Sequence, residues 1–163
     1  MFRKLLLSAL SVCLVIFVTF GTAFAFTLPE IKGWNNGAVK EARLDGVNGD
    51  HGMWIERTYR SPDGLMFNGV LVSGDGAKLW NIDSSVSGDI VEYDGYSAKR
   101  LTVSGRKAVI EVRPVRGASL IVALDKNNLL TLESPFADTD KLVRAADVLI
   151  KAMENNIAPP AKS

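Results

Sequence analysis

The chain's one histidine stands in its most polar stretch, Asp45-Gly46-Val47-Asn48-Gly49-Asp50-His51-Gly52, beside two carboxylates and three glycines. Carboxylates and an amide at this density could hold a hard cation, which takes oxygen ligands from a short loop. Counted from Asp45 as the first position of a calcium loop, however, Val47 and Gly49 fall where side-chain oxygens are needed. Asp50 falls where the sharp turn needs glycine, although Glu56 does reach the twelfth place. A hairpin loop needs the same residue types, because Gly, Asn and Asp tolerate a positive φ. Asp45, Asn48, Asp50 and His51 are therefore ligand-binding candidates, and a plain loop is the competing explanation.

His51 could also serve as a general base if the fold brought Ser61, Ser73, Ser84, Ser85 or Ser87 to it. None of these serines stands in a G-x-S-x-G setting. Ser104-Gly105-Arg106-Lys107 matches the S-x-x-K string, but that motif needs its serine at a helix start, and this copy falls on an expected hairpin. Gly74-Asp75-Gly76-Ala77-Lys78 lacks the spacing that cradles phosphates and reads as a tight turn. One histidine and one cysteine, Cys13, leave zinc without its usual ligands, so no metal and no cofactor is expected.

A second concentration of charge comprises Lys99, Arg100, Arg106, Lys107, Arg113 and Arg116, opposed in that segment by Glu111 alone. It could meet an anionic envelope component such as lipid headgroups, which makes Arg100, Lys107 and Arg113 the second group of binding candidates. Strand alternation offers a simpler account: Ala108, Ile110 and Val112 face inward, while Lys107, Glu111 and Arg113 form the solvated side. A two-residue loop at Gly105-Arg106 would oppose Val103 to Ala108, Leu101 to Ile110 and Arg100 to Glu111. Trp54, Trp80, Tyr59, Tyr93 and Tyr96 read as core or rim aromatics rather than a ligand cage.

The elements that must position these residues follow an export signal. Arg3 and Lys4 precede an uncharged run over residues 5–20, and Ala23-Phe24-Ala25 supplies a peptidase cleavage pattern. Residues 1–25 are thus expected to be removed, leaving a periplasmic or secreted protein with no stable membrane span. The alternative is a retained anchor, since this stretch approaches the roughly 20 residues that cross a bilayer. Val12 precedes Cys13 where a lipoprotein signal needs a small residue, so lipidation is not expected. Cleavage removes the sole cysteine and with it any disulfide framework. It also leaves 17 basic against 18 acidic side chains, a balance that does not suit a nucleic-acid binder.

The remainder reads as one domain over residues 26–157 with a frayed tail at 158–163. Residues 26–37, rich in turn formers, lie extended, with Trp34 as anchor. Strands are expected at 39–44, 52–60, 65–73, 89–93, 97–103, 107–112, 119–124 and 129–133. Ser61-Pro62-Asp63-Gly64 forms the first clear turn, and a helical turn or two falls within 74–88 with Ala77, Leu79, Trp80 and Ile82. Residues 120–124 are apolar throughout, as in a central strand covered on both faces. The cover for one face is a helix over 140–155, capped by Asp138 or Thr139, with Leu142, Ala146, Leu149 and Met153 on one side. The fold class is α+β: a mainly antiparallel sheet of about six to eight strands with a C-terminal helix packed on one face.

The run Val91-Glu92-Tyr93-Asp94-Gly95-Tyr96-Ser97-Ala98, followed by meandering strands and a closing helix, resembles exported bacterial domains of unassigned function. More distantly, residues 65–155 resemble the sheet-and-helix architecture of PsbP-like proteins. The resemblance is one of pattern and implies no functional residue. The expectation is a non-enzymatic envelope domain that binds a partner protein or small ligand through a sheet face or its loops. A hydrolase centred on His51 and a carrier of an apolar ligand are the alternatives.

Overall fold

The computed structural model describes residues 26–47, 49–78 and 90–157. The expected signal with Cys13, the tail, Asn48, and residues 79–89 with Leu79, Trp80 and Ile82 lie outside the described residues. In chain order the elements are β1 (Asn35–Asn36), β2 (Lys40–Gly46), β3 (Gly49–Arg60), β4 (Met66–Ser73), the single helical turn α1 (Asp75–Lys78), β5 (Ile90–Tyr93), β6 (Tyr96–Val103), β7 (Arg106–Arg113), β8 (Gly117–Asp125), β9 (Asn128–Ser134) and α2 (Thr139–Ile157).

The strands form one antiparallel sheet in the order β1-β3-β4-β9-β8-β7-β6-β5, with β2 also on β3. β1 pairs with Tyr59 and Arg60 and β2 with residues 49–56, so the two lie end to end along one edge of β3. The sheet is therefore eight positions wide, as the α+β expectation has it. Two meanders build it. The first runs β2-β3-β4; the second starts at the far edge with β5 and returns until β9 pairs with β4. Pairs across the Ser61 turn hold the expected β3–β4 hairpin, in which the Gly64 N–H donates to the Ser61 carbonyl at 3.0 Å and Gly64 takes φ +86°.

The expected β6–β7 register is corrected by two positions. Val103 faces Arg106, Leu101 faces Ala108 and Arg100 faces Val109, so the two-residue loop is Ser104-Gly105 rather than Gly105-Arg106. Both loop residues have positive φ, +48° and +75°, the pattern of a type I′ hairpin turn. An even shift conserves faces. Leu101, Val103, Ala108 and Ile110 still share one side, and Arg100 and Glu111 still share the other as diagonal neighbours.

One face of the sheet is closed by α2 and by residues 26–37. Leu142, Ala145, Ala146, Leu149, Ile150 and Met153 of α2 are buried against Leu71, Leu120, Val122, Leu130 and Leu132. Asp138 caps the helix by accepting the Lys141 N–H at 3.1 Å. Trp34 packs edge-on to Phe67 and Tyr59, whose rings stack at 5.2 Å, and the Tyr59 hydroxyl donates to the Pro29 carbonyl at 2.9 Å. Arg57, buried on this face, fastens the same segment by donating to the Gly37 and Leu28 carbonyls and to Glu30 Oε1 at 2.8 Å. Among the described residues no helix is long and apolar enough to cross a membrane.

Candidate functional site

The polar stretch that dominates the sequence is the tip of the β2–β3 hairpin. The strands continue into it, with Asp45 opposite Asp50 and Gly46 opposite Gly49. Like charges directly opposite repel. Arg43 compensates them, its Nη2 lying 2.7 Å from Asp50 and its Nε 4.0 Å from Asp45. The bond from Arg43, and then that from the Gly52 N–H, holds the Asp50 carboxyl below its ordinary pKa. The His51 ring lies on Gly46, where a Cβ would sit 2.7 Å from it. Among the described residues the imidazole makes no hydrogen bond to a serine or carboxylate, and no group of three acidic, histidine or cysteine side chains is placed to hold a metal. The tip is thus a turn whose two carboxylates share one guanidinium.

The second candidate group lies on the face of the sheet opposite α2. Alternation puts Arg100, Lys107 and Arg113 there, on three different rows. Arg106 departs from the cluster: its guanidinium turns to α2 and pairs with Glu154 at 2.6 Å. The expected solvated side is also not uniformly solvated. Glu111 is only 6 % exposed, and Val109 and Ala98 beside it are buried, packed by Tyr96 and Ala123.

Register across four strands builds a polar row through this region. Asn68 of β4 faces Glu133 of β9, Glu133 faces Ser119 of β8, and Ser119 faces Glu111 of β7. The next row holds Thr131 and Ile121. Arg113 reaches back two residues along β7, its Nη2 and Nε donating to Glu111 Oε2 at 2.5 and 3.2 Å. This carboxylate raises the Arg113 pKa above its ordinary value. The buried Oδ1 of Asn68 has no hydrogen-bond partner among the described residues. A cavity of about 610 Å³ lies over these side chains, bounded at one end by Arg116, Gly117 and Pro135.

The cavity's end wall depends on a close approach. Gly117, at φ +82°, abuts the loop after β9 so tightly that a Cβ would meet the Ser134 carbonyl oxygen at 2.2 Å. The β7–β8 turn before it has Pro114 second and Val115 third, with Val115 at φ +69° and fully exposed. That third position of a type II turn ordinarily needs glycine, and a β-branched residue there is strained.

Of the sequence-derived candidates, the structure brings only Arg113 to the cavity; Asp50 and His51 lie on β3, next to β4, but seven or more residues along it from Thr58, which faces Asn68, roughly 23 Å at ~3.3 Å per residue, and Asp45 faces Asp50 from β2. Asn48 lies outside the described residues. Sequence reasoning missed Asn68, Ser119, Thr131 and Glu133. Each has the correct alternation phase for an outward position, but nothing local reveals that β9 returns to β4. None of the family models, curated proteins or solved structures compared with this chain matches it.

Proposed function

We propose that this protein is an exported domain that binds a small polar molecule on the open face of its sheet, without catalysing a reaction on it. One observation carries the reading. A cavity of about 610 Å³ places the buried Glu111 carboxylate with its Arg113 partner, two hydroxyls and the unpartnered Asn68 Oδ1 on one wall. Its volume falls in the roughly 300 to 1,000 Å³ range of small-molecule sites. An unmet buried oxygen costs about 1–3 kcal/mol, which a donor on the ligand recovers.

The alternatives draw less support. A carrier of apolar ligands needs room between sheet and helix, and that space is filled by Leu71, Leu120, Leu130, Leu142 and Leu149, all without exposure. A hydrolase needs its histidine at the cavity, and His51 stands near the hairpin tip, roughly 23 Å along β3 from the residue that faces Asn68 at ~3.3 Å per residue. Export rests on the leader pattern of residues 1–25 and on Phe26, which packs against the core directly after the expected cleavage point. N-terminal sequencing of the exported form is expected to read from Phe26 or within two residues of it; a full-length chain held in the membrane fraction overturns cleavage.

The binding reading is tested by NMR of the processed domain with amino acids, sugars, polyols and nucleosides at millimolar concentration. Shifts are expected to concentrate at the amides of Ser119, Ile121, Thr131 and Glu133. Shifts confined to residues 43–51, or none with any fragment, overturn it.

A further inference from the structure

We infer that the ligand of the open face is a zwitterionic short peptide with both ends free, a conclusion that rests on the binding reading above. Four charged side chains line the cavity: Glu111, Arg113, Arg116 and Glu133. Glu111 and Arg113 neutralise each other through the two bonds they share. Glu133, which also attracts Arg113 from a longer distance, and Arg116 remain, both exposed, and neither has a side-chain ion pair or hydrogen bond among the described residues. The cavity thus offers a ligand one negative and one positive contact. A polyanion meets Glu133 and a polycation meets Arg116 unfavourably, while a neutral ligand uses neither charge.

Spacing selects the length. Glu133 stands opposite Ser119, one strand spacing of ~4.8 Å across, and Arg116, in the turn before β8, lies three residues before Ser119, at most ~10 Å along the chain, so the two Cα atoms are at most roughly 11 Å apart. An extended dipeptide spans roughly 7 Å. With a charge-assisted hydrogen bond of about 2.8 Å at each end it bridges the two charges. Its ammonium would face Glu133 and its carboxylate Arg116. The peptide group between them would lie over the Ser119 and Thr131 hydroxyls and the Asn68 amide, where an N–H supplies the donor that Asn68 Oδ1 lacks.

The test titrates the processed domain with L-alanyl-L-alanine, its N-acetyl form, its C-terminal amide and, as a neutral probe, methyl α-D-glucoside, following the amides of Ser119, Thr131 and Glu133. The free dipeptide is expected to shift them saturably, and each blocked form to bind at least tenfold more weakly. Glu133→Gln is expected to abolish the preference over the acetylated form, and Arg116→Gln the preference over the amide. Both positions are exposed, so these variants fold. Blocked peptides that bind as well as the free one overturn the inference, as does a glucoside that shifts these amides while the dipeptide does not; the open-face reading survives either result. If no probe shifts any open-face amide, the inference falls, and the open-face reading falls with it when the amino acids, polyols and nucleosides also leave those amides unmoved.

Discussion

Under α2, β4, β8 and β9 present Leu71, Leu120, Val122, Leu130 and Leu132 in unbroken apolar contact. On the opposite face the same three strands present Asn68, Ser119, Ile121, Thr131 and Glu133, joined by Glu111 and Arg113 from β7. The closed face has one solution, close packing. The open face mixes buried apolar groups such as Val109 with a half-buried ion pair and a cavity. Alternation along a strand therefore says which side a residue takes, and the neighbouring strands decide whether that side is wet.

The comparison breaks most easily on the closed face. Leu149→Ala is expected to cost about 2–5 kcal/mol in urea denaturation, through lost transfer energy and the cavity left behind. Lys151→Ala is the control: its exposed ion pair with Asp147 is worth roughly 0.5 kcal/mol or less. Equal small effects would mean that α2 does not dock.

Most of the closed face was legible in the sequence. Eight strands, the Ser61 turn, the Asp138 cap and the buried face of α2 follow from local periodicity and turn chemistry, which act within a few residues. The β6–β7 register was not, because Ser104-Gly105 and Gly105-Arg106 both make plausible two-residue loops and keep every side chain on its face. Arg57 was equally hidden, since its role depends on carbonyls of residues 28 and 37 folded back over β3. The open-face row depends on the β4–β9 pairing, which joins strands more than 50 residues apart. Composition pointed instead to the hairpin tip, where Arg43 serves both carboxylates.

A second break comes at the Glu111–Arg113 ion pair, where the two partners differ in exposure: the side chain of Glu111 is 8 % exposed and that of Arg113 47 %. Arg113→Gln leaves a carboxylate buried with no cation, at a cost of about 2–3 kcal/mol. Glu111→Gln leaves a guanidinium that water still reaches, at a cost of about 1 kcal/mol. Chemical denaturation of both variants reads the order directly. Equal costs, or the reverse order, would mean that Glu111 is hydrated in solution and that the open face is wetter than its geometry.

The smallest effects sharpen the comparison at the two ends of β7, where a residue other than glycine takes a left-handed conformation in each turn. Ser104, at φ +48°, uses its side chain: the hydroxyl donates to Asp147 Oδ1 of α2 at 2.6 Å and ties the turn to the closed face. Val115, at φ +69°, is fully exposed beside the cavity, so its strain has no compensating contact in the folded chain. Val115→Gly is therefore expected to raise stability by about 1 kcal/mol, relief of strain outweighing the freer unfolded chain. Ser104→Ala keeps the strained backbone and loses the bond, so it lowers stability by about 1 kcal/mol. Ser104→Gly loses the bond but relieves the strain, and the two nearly cancel, to within about 0.5 kcal/mol. Acid separates the bond from the strain. Lys151, and then the Ser104 hydroxyl, hold Asp147 below the ordinary carboxylate range. A carboxyl depressed in the folded state stabilises above its unfolded pKa, near 4, and loses that contribution as pH falls through the folded value. The Ser104→Ala deficit measured at neutral pH should accordingly shrink below about pH 4, while the Val115→Gly gain, which involves no titrating group, stays constant. A Val115→Gly variant less stable than the parent would show that Val115 is packed rather than presented, and the contrast between the two turns would be lost.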